Sequence, residues 1–394
     1  MGGGLIQLVA YGAQDVYLTG QPQISYFKDV YHRYTNFAME DIEQTIQGKI
    51  ETDSRLQVTI SRDGDLLTDV YLVIPVPEEI NFDVKMDAFR IVKEAELEIG
   101  GHTIDRIYGD WMNVWGEVSL RRTPNKQDRL ESCLNSTGDG DNIYIPLLFW
   151  FHKTPSMALP LVALQYHDVK VNFTLDTNSY NGSGWRDYMD SFVFTSTKFF
   201  ASYVYLDTTE RRKFAEGAQE YLIHQLQREE YQIIDVTTAS DRVKEHVIDL
   251  HFNHPVKYIG WFINDANQNT YEMANGYYNE AKLVFNGQDR LGWRGKDYFQ
   301  KYQIFQHFDG CCPATRSVAS TISINPSLYS FAIRASDMEQ PSGSCNFSRI
   351  DNAQLHLRVG SVTPFTKDGT VVIFAQNYNV LRIVSGMGGL AYSN

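Results

Sequence analysis

The fold is decided by two stretches that resemble each other, LEIGGHTIDR at residues 97–106 and LVFNGQDR at residues 283–290. Each has an apolar strand, a glycine turn and then an Asp-Arg pair. A glycine that closes a two-residue turn between strands is a strong β-hairpin signal. The turn glycines Gly101 and Gly287 lie about half of the 394-residue chain apart. A tandem duplication explains this spacing, with two unrelated hairpins as the alternative.

Period-two alternation of apolar and polar residues recurs along the chain, as in VKVNFTL (169–175) and QLHLRV (354–359). Alternation places one face of a strand in a core and the other toward water or a partner. Turn signals separate these runs, and we interpret RDGD (62–65), Asn286-Gly287 and KDG (367–369) as hairpin turns. Many strands with Gly-rich and Asp-rich turns favour an all-β sandwich or barrel.

Two stretches favour short helices, GDWMNVWGEVSL (109–120) and TTERRKFAEGA (208–218). The second begins with Thr208, which we expect to be its N-cap. It separates two strand-like stretches, residues 192–206 and 221–234. We therefore expect a short helix to connect two β domains.

The composition is 43 % hydrophobic, with 24 Tyr and 22 Phe, and this is enough apolar material for two packed cores. The net charge of −13 argues against direct contact with nucleic acid, which needs clustered cations. The one basic run, Arg211-Arg212-Lys213, stands beside Glu210 and Glu216 and indicates a solvated helix face. We expect a soluble chain of cytosolic origin, because no long apolar run and no signal peptide is evident.

The sequence lacks the motifs of the common enzyme sites. Its four cysteines form no CxxC pair, and no HxH occurs; alternation would place His251 and His254 on opposite faces of a strand. The stretch GMGGLA (386–391) resembles a dinucleotide fingerprint, but too few residues follow it to form the helix that such a site needs. We interpret it instead as a close-packed strand end. We therefore predict no catalytic, cofactor-binding or metal-binding residues.

Ten blocks of the chain, in this order, resemble the major capsid proteins of nucleocytoplasmic large DNA viruses, such as phycodnaviruses and iridoviruses. The first block is GGLIQLVAYGAQDVYLTGQ, which begins at Gly3. The resemblance covers both ends and most of the middle of the chain. The blocks are residues 3–46, 60–70, 97–106, 154–175, 206–215, 220–227, 252–258, 285–290, 340–357 and 377–392.

The resemblance implies an all-β fold of two tandem eight-stranded jelly-roll sandwiches, a double jelly roll, with a few short helices in loops. It also implies a homotrimer that forms a pseudo-hexagonal capsomer and tiles the icosahedral shell of a large dsDNA virus. The expected partners are the chain itself, minor capsid proteins and the inner viral membrane, without direct nucleic-acid contact or cofactor. The expected location is the virion capsid, made and assembled in the host cytoplasm.

The expected domains are an N-terminal arm (1–24), a first jelly roll (25–207), a short helical linker (208–219) and a second jelly roll with a C-terminal tail (220–394). In the arm, a helix would gather four apolar side chains on one face, although a flexible tail is the alternative. The resemblance implies that the arm lies on the inner face of the capsomer. The four residues are Leu5, Ile6, Leu8 and Val9.

Four N-x-Ser/Thr sequons mark candidate glycosylation sites, at Asn135, Asn172, Asn181 and Asn346. Asn172 falls within a predicted strand, so we keep Asn135, Asn181 and Asn346, of which Asn181 in a polar turn is the most accessible. The alternative is that all four stay unmodified.

Other functions remain open at this point. A lectin-like double sandwich could use Tyr180, Trp185 and Tyr188 in a polar loop to stack on sugars. An enzyme is a further alternative, although no catalytic frame supports it. A minor capsid paralogue is an alternative within the same class of protein. The share of this chain in purified virion protein would decide between a major and a minor capsid protein.

Overall fold

The computed structural model describes eleven parts of the chain, and contacts divide the chain into two units, residues 1–36 and 37–394. In the described parts, no helix is long and apolar enough to cross a membrane. The described residues are 3–49, 54–75, 87–119, 130, 133–134, 142–175, 196–233, 244–265, 278–309, 326–359 and 369–393.

The N-terminal unit contains two short helices, α1 (Gly3–Val9) and α2 (Val16–Thr19). Neither helix buries a residue, and every described residue from 3 to 36 is exposed. Helices this short are marginal in water without tertiary packing. The segment therefore carries apolar surface that the rest of its own unit does not cover.

The first half of the larger unit is a sandwich of two antiparallel sheets. Sheet A1 has the order β1-β10-β4-β7 with β8 beside β4, and sheet B1 has the order β2-β3-β9-β5-β6. The strands are β1 (Phe37–Gln44), β2 (Ile46–Gln47), β3 (Arg55–Thr59), β4 (Leu66–Pro75), β5 (Val92–Ile99), β6 (His102–Tyr108), β7 (Asn142–Pro146), β8 (Leu159–Pro160), β9 (Val169–Leu175) and β10 (Lys198–Leu206).

The second half repeats this arrangement. Sheet A2 has the order β11-β19-β13-β16 with β17 beside β13 and β20 beside β19, and sheet B2 has the order β12-β18-β14-β15. The strands are β11 (Gln219–Ile233), β12 (Lys244–Leu250), β13 (Pro255–Asp265), β14 (Glu280–Phe285), β15 (Gln288–Gly295), β16 (Ser327–Ser330), β17 (Cys345–Asn346), β18 (Ala353–Val359), β19 (Gly369–Val384) and β20 (Met387–Leu390).

The two sandwiches have the same topology. Sheet A1 matches sheet A2 in its four principal strands and in the short strand beside β4 or β13, and only β20 of sheet A2 has no counterpart among the described residues. The order β3-β9-β5-β6 of sheet B1 likewise matches β12-β18-β14-β15 of sheet B2. Each sandwich thus has eight principal strands in two four-stranded sheets, connected as a jelly roll. The predicted all-β double jelly roll is confirmed, and the resemblance of residues 97–106 to 283–290 reflects equivalent hairpins.

Both equivalent hairpins turn through positive backbone angles. Gly100 and Gly101 have φ of 59° and 84°, and Asn286 and Gly287 have φ of 49° and 77°. Two consecutive positive φ values define the turn whose twist suits paired strands, and Gly and Asn adopt them at least cost. The hairpin prediction at Asn286-Gly287 is confirmed. The prediction at residues 62–65 is wrong, because β3 and β4 belong to different sheets.

The helices are few and short, as predicted. The helix at Thr208–Glu216 has Asp207 as its N-cap, and Thr208 is its first helical residue, so the predicted N-cap was one residue late. The basic run of this helix is exposed, as expected for a solvated face. In the larger unit, the α-helices with bounds inside the described ranges are α3 (Gly109–Ser119), α4 (Trp150–Lys153), α5 (Thr208–Glu216) and α6 (Gln303–His307), with a π turn at Tyr298–Tyr302 directly before α6.

Candidate assembly surfaces

The outer face of sheet A2, the face directed away from the core of its own sandwich, packs against the first sandwich. The rings of Phe374 (β19) and Tyr108 (β6) have centroids 6.4 Å apart, and Phe374 lies 5.7 Å from Phe262 (β13). Tyr258 and Phe262 belong to the same continuous hydrophobic cluster as Trp111 of α3. The contact between the sandwiches is therefore a buried apolar core rather than a loose hinge.

Hydrogen bonds join the two sandwiches at the rim of this contact. The Gln225 side chain donates to the carbonyl of Ile104, and the Leu226 backbone N–H donates to Asp105 Oδ1 at 3.3 Å. On the C-terminal hairpin, the Tyr166 N–H donates to the carbonyl of Gly386 at 3.1 Å. These bonds fix how the second sandwich is oriented on the first.

The C-terminal strand β20 approaches the first sandwich closely. A Cβ on Gly388 would lie 2.7 Å from Leu164 Cδ2 and 3.4 Å from Ile99 Cγ2. Only a residue without a side chain leaves room for this approach. Gly388 of GMGGLA, like Gly386 beside the Tyr166 ring, therefore serves close packing, as we interpreted this stretch.

Charged side chains are buried where the two sandwiches meet. Lys257 of β13 has no exposed surface, and its Nζ donates to the carbonyl of Asp337. Burial, together with repulsion by Lys153, lowers the pKa of Lys257 from 10.5 to about 7. Burial also lowers the pKa of His224 well below its ordinary value, with further lowering by both lysines.

The first sandwich contributes two further buried charged residues to the contact, Lys153 and Asp105. The ammonium of Lys153 on α4 lies 5.2 Å from the centroid of the Trp111 ring. Burial lowers the pKa of Lys153 and raises the pKa of Asp105. The attraction between the two opposite charges partly offsets both of these pKa shifts. Among the described residues, the contact therefore buries two lysines, Lys257 and Lys153, and one carboxylate, Asp105. The apolar part of the contact stabilises the folded protein, and the excess buried positive charge destabilises it.

A polar groove of about 490 Å³ opens beside this contact. Its amide side chains bind one another: Gln227 donates to Asn377 Oδ1 at 3.0 Å and accepts from the Asn253 N–H at 2.9 Å. These amide groups are therefore satisfied within the chain and are not free to bind a ligand. His251 and His254 line this groove from the β12–β13 loop, not opposite faces of a strand as predicted.

Two groups of apolar side chains lie at the surface of the described part of the larger unit. The first, here called the A1 face, lies on the outside of sheet A1 and consists of exposed Phe37, Met39 and Tyr144 with half-buried Tyr71 and Phe200. The second, here called the α6 ridge, consists of Tyr302, Phe305 and Ile333. Single exposed apolar residues are common on proteins, but grouped ones mark interaction sites. Neither surface was predicted from the sequence, although the aromatic pair three residues apart, Tyr302 at the end of the π turn and Phe305 in α6, was a visible signal.

The sequence-predicted site residues are placed as follows. Asn172 is buried in β9, where its amide donates to Glu98 Oε2 at 3.1 Å, so it is not an accessible acceptor. Asn346 is exposed, and its side chain accepts from the Ser348 N–H at 3.1 Å. Asn135, Asn181 and the polar loop at residues 180–188 lie outside the described residues.

In the N-terminal unit, the four predicted apolar residues lie in α1 and are exposed, with Leu8 and Val9 the most so, at 77 % and 78 %. Their role on an inner face stays a prediction. The described parts of the chain contain no group of three or more side chains suited to hold a metal ion.

Comparison with known proteins agrees with this geometry. Residues 25–207 match the model of the major capsid protein N-terminus, and residues 210–389 match that of the large eukaryotic DNA virus major capsid protein. The chain is 42 % identical to the major capsid protein of Pyramimonas orientalis virus and 39 % identical to that of Paramecium bursaria Chlorella virus 1, over the full length of each. A quasi-atomic model of the PBCV-1 virus capsid matches with a TM-score of 0.77 and 33 % identity, over 94 % of this chain and all of that one.

Two topologically equivalent jelly rolls in one chain define the class of double jelly-roll viral capsid proteins. Within that class, the chain belongs to the family of the major capsid proteins of large eukaryotic DNA viruses. It is a structural component of a virion capsid and not an enzyme, as predicted.

Proposed function

We propose that the chain forms a homotrimer whose six sandwiches make a pseudo-hexagonal capsomer, and that capsomers tile the icosahedral shell of a large dsDNA virus. Assembly takes place in the host cytoplasm. The working parts are the arm (1–24), the jelly rolls (25–207 and 220–394) and the helical linker between them (208–219).

The observation that carries this proposal is the equivalence of the two sandwiches. Sheets A1 and A2 have the same strand order, and so have the four principal strands of sheets B1 and B2. Three chains with two equivalent domains each offer six near-equivalent sides. Contacts between unlike surfaces of neighbouring copies can then continue into sheets and shells, whereas like-to-like contacts stop at dimers.

The trimer is tested by its mass in solution. Sedimentation equilibrium of the purified chain at micromolar concentration and neutral pH should give about three times the 45.2 kDa of one chain. Negative-stain images of the same sample should show a pseudo-hexagonal outline. A monomer under these conditions would contradict the proposal, and so would a dimer.

For the arm, we propose contact with minor capsid proteins and the inner viral membrane on the inner side of the shell. The support is its apolar exposure: Leu5, Ile6, Leu8 and Val9 are all at least half exposed, and Tyr17 and Leu18 in α2 are almost fully exposed. A segment with this much exposed apolar area is costly in water and gains free energy from burial against a partner.

Deletion of residues 1–24 separates arm function from folding. We expect the shortened chain to form an oligomer with the same number of chains as the full-length protein, because no residue of the larger unit is removed. In infected cells that make both forms, tagged differently, we expect purified virions to be depleted of the shortened form. Equal incorporation of the two forms would show that the arm is dispensable for assembly.

A further inference from the structure

Five polar side chains in the contact between the two sandwiches make up a group here called the buried cluster. Within sheet A2, His224 (β11) stands opposite Tyr378 (β19), and their rings have centroids 5.0 Å apart. The ammonium of Lys257 (β13) lies 5.8 Å from the centroid of the Tyr378 ring. Gln376 precedes Tyr378 by two residues on β19, so its side chain lies on the same face of the sheet. Lys153 of the first sandwich completes the cluster, close enough to lower the pKa of both Lys257 and His224.

Three members of the buried cluster have atoms without a hydrogen-bond partner among the described residues. Gln376 is 1 % exposed, and neither its amide oxygen nor its amide nitrogen has a partner there. The same holds for Nε2 of His224 and for the hydroxyl of Tyr378, in side chains that are also buried. Buried polar groups in native proteins are nearly always hydrogen-bonded, because an unpaired one costs free energy. These atoms therefore require a small polar partner between the sandwiches.

The charge of the surroundings decides which partner fits. Lys153 and Lys257 bring two ammonium groups to the contact, and Asp105 brings the one buried carboxylate of its described part. Asp105 Oδ1 already accepts from the backbone N–H groups of Arg106 at 2.9 Å and Leu226 at 3.3 Å. Buried charges persist when opposite charges pair with them. The excess of one positive charge therefore favours a monovalent anion over a cation or a neutral molecule.

The hydrogen-bonding groups of the buried cluster also suit an anion. The amide nitrogen of Gln376, the hydroxyl of Tyr378 and both ammonium groups are donors, and a neutral imidazole can carry its proton on Nε2. Of the four unpartnered atoms, only the amide oxygen of Gln376 cannot donate. Because the cluster is enclosed by two packed sandwiches, an anion that enters it must be small and must shed its water. Chloride has the required charge and size.

We infer that the buried cluster binds one small monovalent anion, such as chloride, which joins the two sandwiches from inside their contact. Lys153 contacts the anion from the first sandwich, and Lys257, Gln376 and Tyr378 contact it from the second. The anion offsets the repulsion between the two lysines and gives the amide and the hydroxyl a partner. A ligand that binds only the folded chain stabilises it in proportion to occupancy. The inference is independent of the proposed trimer, since every residue of the cluster belongs to one chain.

Thermal unfolding in two sodium salts tests for the anion. At pH 7 and equal ionic strength, sodium chloride should give a Tm at least about 2 °C higher than sodium gluconate, whose anion is too large for a buried site. Lys257→Met and Gln376→Leu should each remove most of this difference, because each loses a donor to the anion. Lys213→Met, on the exposed face of α5, is the control and should keep the full difference. Circular dichroism checks that each variant is folded.

The pH dependence of the chloride effect gives a second test. We expect the half-saturating chloride concentration to be at least about 10-fold higher at pH 9 than at pH 7, because the pKa of Lys257 is about 7 and the anion binds its charged form. A lower pH makes every group that faces the cluster more positive or leaves it unchanged, so all of them act in the same direction. These groups are Asp105 (β6), Lys153 (α4), His224 and Arg228 (β11), Lys257 and Tyr258 (β13), Asp337 (after β16) and Tyr378 (β19).

Anomalous diffraction from crystals grown in sodium bromide locates the anion. Bromide has the charge of chloride and a similar size, and it scatters X-rays anomalously. We expect one anomalous peak between the sandwiches, in contact with the amide nitrogen of Gln376 and the ammonium of Lys153. The same crystals of Gln376→Leu should lack this peak, while crystals of Lys213→Met should keep it.

Three results would overturn the inference. The first is an equal Tm of the wild type in chloride and in gluconate. The second is bromide on the protein surface alone, with water at the buried cluster, which would mean an adventitious ion only. The third is a chloride effect in Lys257→Met and Gln376→Leu as large as in the wild type, because the anion would then bind elsewhere. None of these results bears on the trimer, which the mass in solution tests separately.

Discussion

Lys257→Met should raise the free energy of unfolding by about 2–4 kcal/mol at pH 6, and the gain should largely vanish at pH 10. Lys257 is fully buried, and burial with repulsion by Lys153 lowers its pKa from 10.5 to about 7. One pKa unit corresponds to about 1.4 kcal/mol, so holding this charge inside the folded protein at low pH costs roughly 5 kcal/mol. Methionine has a similar volume and no charge to bury.

The sign of the pH dependence follows from the direction of the shift. Below pH 7, the lysine is charged in both the folded and the unfolded chain, so the full burial cost opposes folding. Between pH 7 and 10.5, the folded chain has released its proton while the unfolded chain still holds one, and the wild type therefore gains stability as the pH rises. The methionine variant lacks this dependence. The loss of the hydrogen bond to the Asp337 carbonyl subtracts about 1 kcal/mol at every pH.

The measurement is equilibrium urea unfolding at pH 6 and pH 10, at one fixed protein concentration. Tryptophan fluorescence reports the unfolding of both sandwiches, since Trp111 and Trp115 are buried in the first and Trp261 lies in the core of the second. Lys213→Met is the matched control, because Lys213 is exposed on α5 and should change stability by less than about 0.5 kcal/mol at either pH. A loss of stability in Lys257→Met at pH 6, or an equal gain at both pH values, would refute the assignment of a buried charge.

Local patterns predicted the strands and the two equivalent hairpins, because alternation and positive-φ turn residues act over a few positions. Val169–Leu175 and Ala353–Val359 are strands as expected. The failure at residues 62–65 has a physical cause. A Gly-Asp turn reverses the chain whether the next strand pairs in the same sheet or crosses to the other, and long-range packing decides between the two. Here β4 pairs with β10 and β7 rather than with β3.

The buried polar residues between the sandwiches could not be predicted from local pattern. In an alternating strand, a polar residue marks the face that points away from the core of its own sandwich. The pattern does not tell whether water or another domain covers that face. Lys257 and His224 lie on elements of sheet A2 whose outer face the first sandwich covers. A register irregularity in β13 between Val256 and Tyr258 further disturbs the alternation around Lys257. The family resemblance predicted the double jelly roll, whereas only the three-dimensional structure shows that these polar residues are buried between the two sandwiches.

Gly100→Ala should lower the free energy of unfolding by about 3 kcal/mol, more than alanine at the other two turn glycines, Gly101 and Gly287. Gly100 has φ of 59°, which costs about 1 kcal/mol for a residue with a side chain. In addition, a Cβ at this position would lie 2.5 Å from the His167 ring, where no flexible end can yield. Overpacking of this kind typically costs a further 1–3 kcal/mol, taken as about 2 kcal/mol here.

The effect should extend beyond the turn, because His167 holds the C-terminal strand of the other sandwich. Its Nδ1 lies 3.2 Å from the Gly388 N–H nitrogen and 3.0 Å from the Gly388 carbonyl oxygen. If the new methyl group displaces the ring, β20 loses this contact with the first sandwich. Hydrogen exchange should therefore report faster opening of the β20 amides in Gly100→Ala, while the amides of sheet B2 keep their protection.

Gly101→Ala is the control in the same turn. Gly101 has φ of 84°, so alanine meets the same kind of backbone cost, but no atom lies within 4 Å of the added Cβ. We expect a loss of about 1 kcal/mol and unchanged exchange in β20. Equal losses for the two variants would mean that backbone strain alone sets the cost. The larger loss at Gly100, with faster exchange in β20, would show instead that one hairpin turn in the first sandwich helps to hold the second sandwich in place.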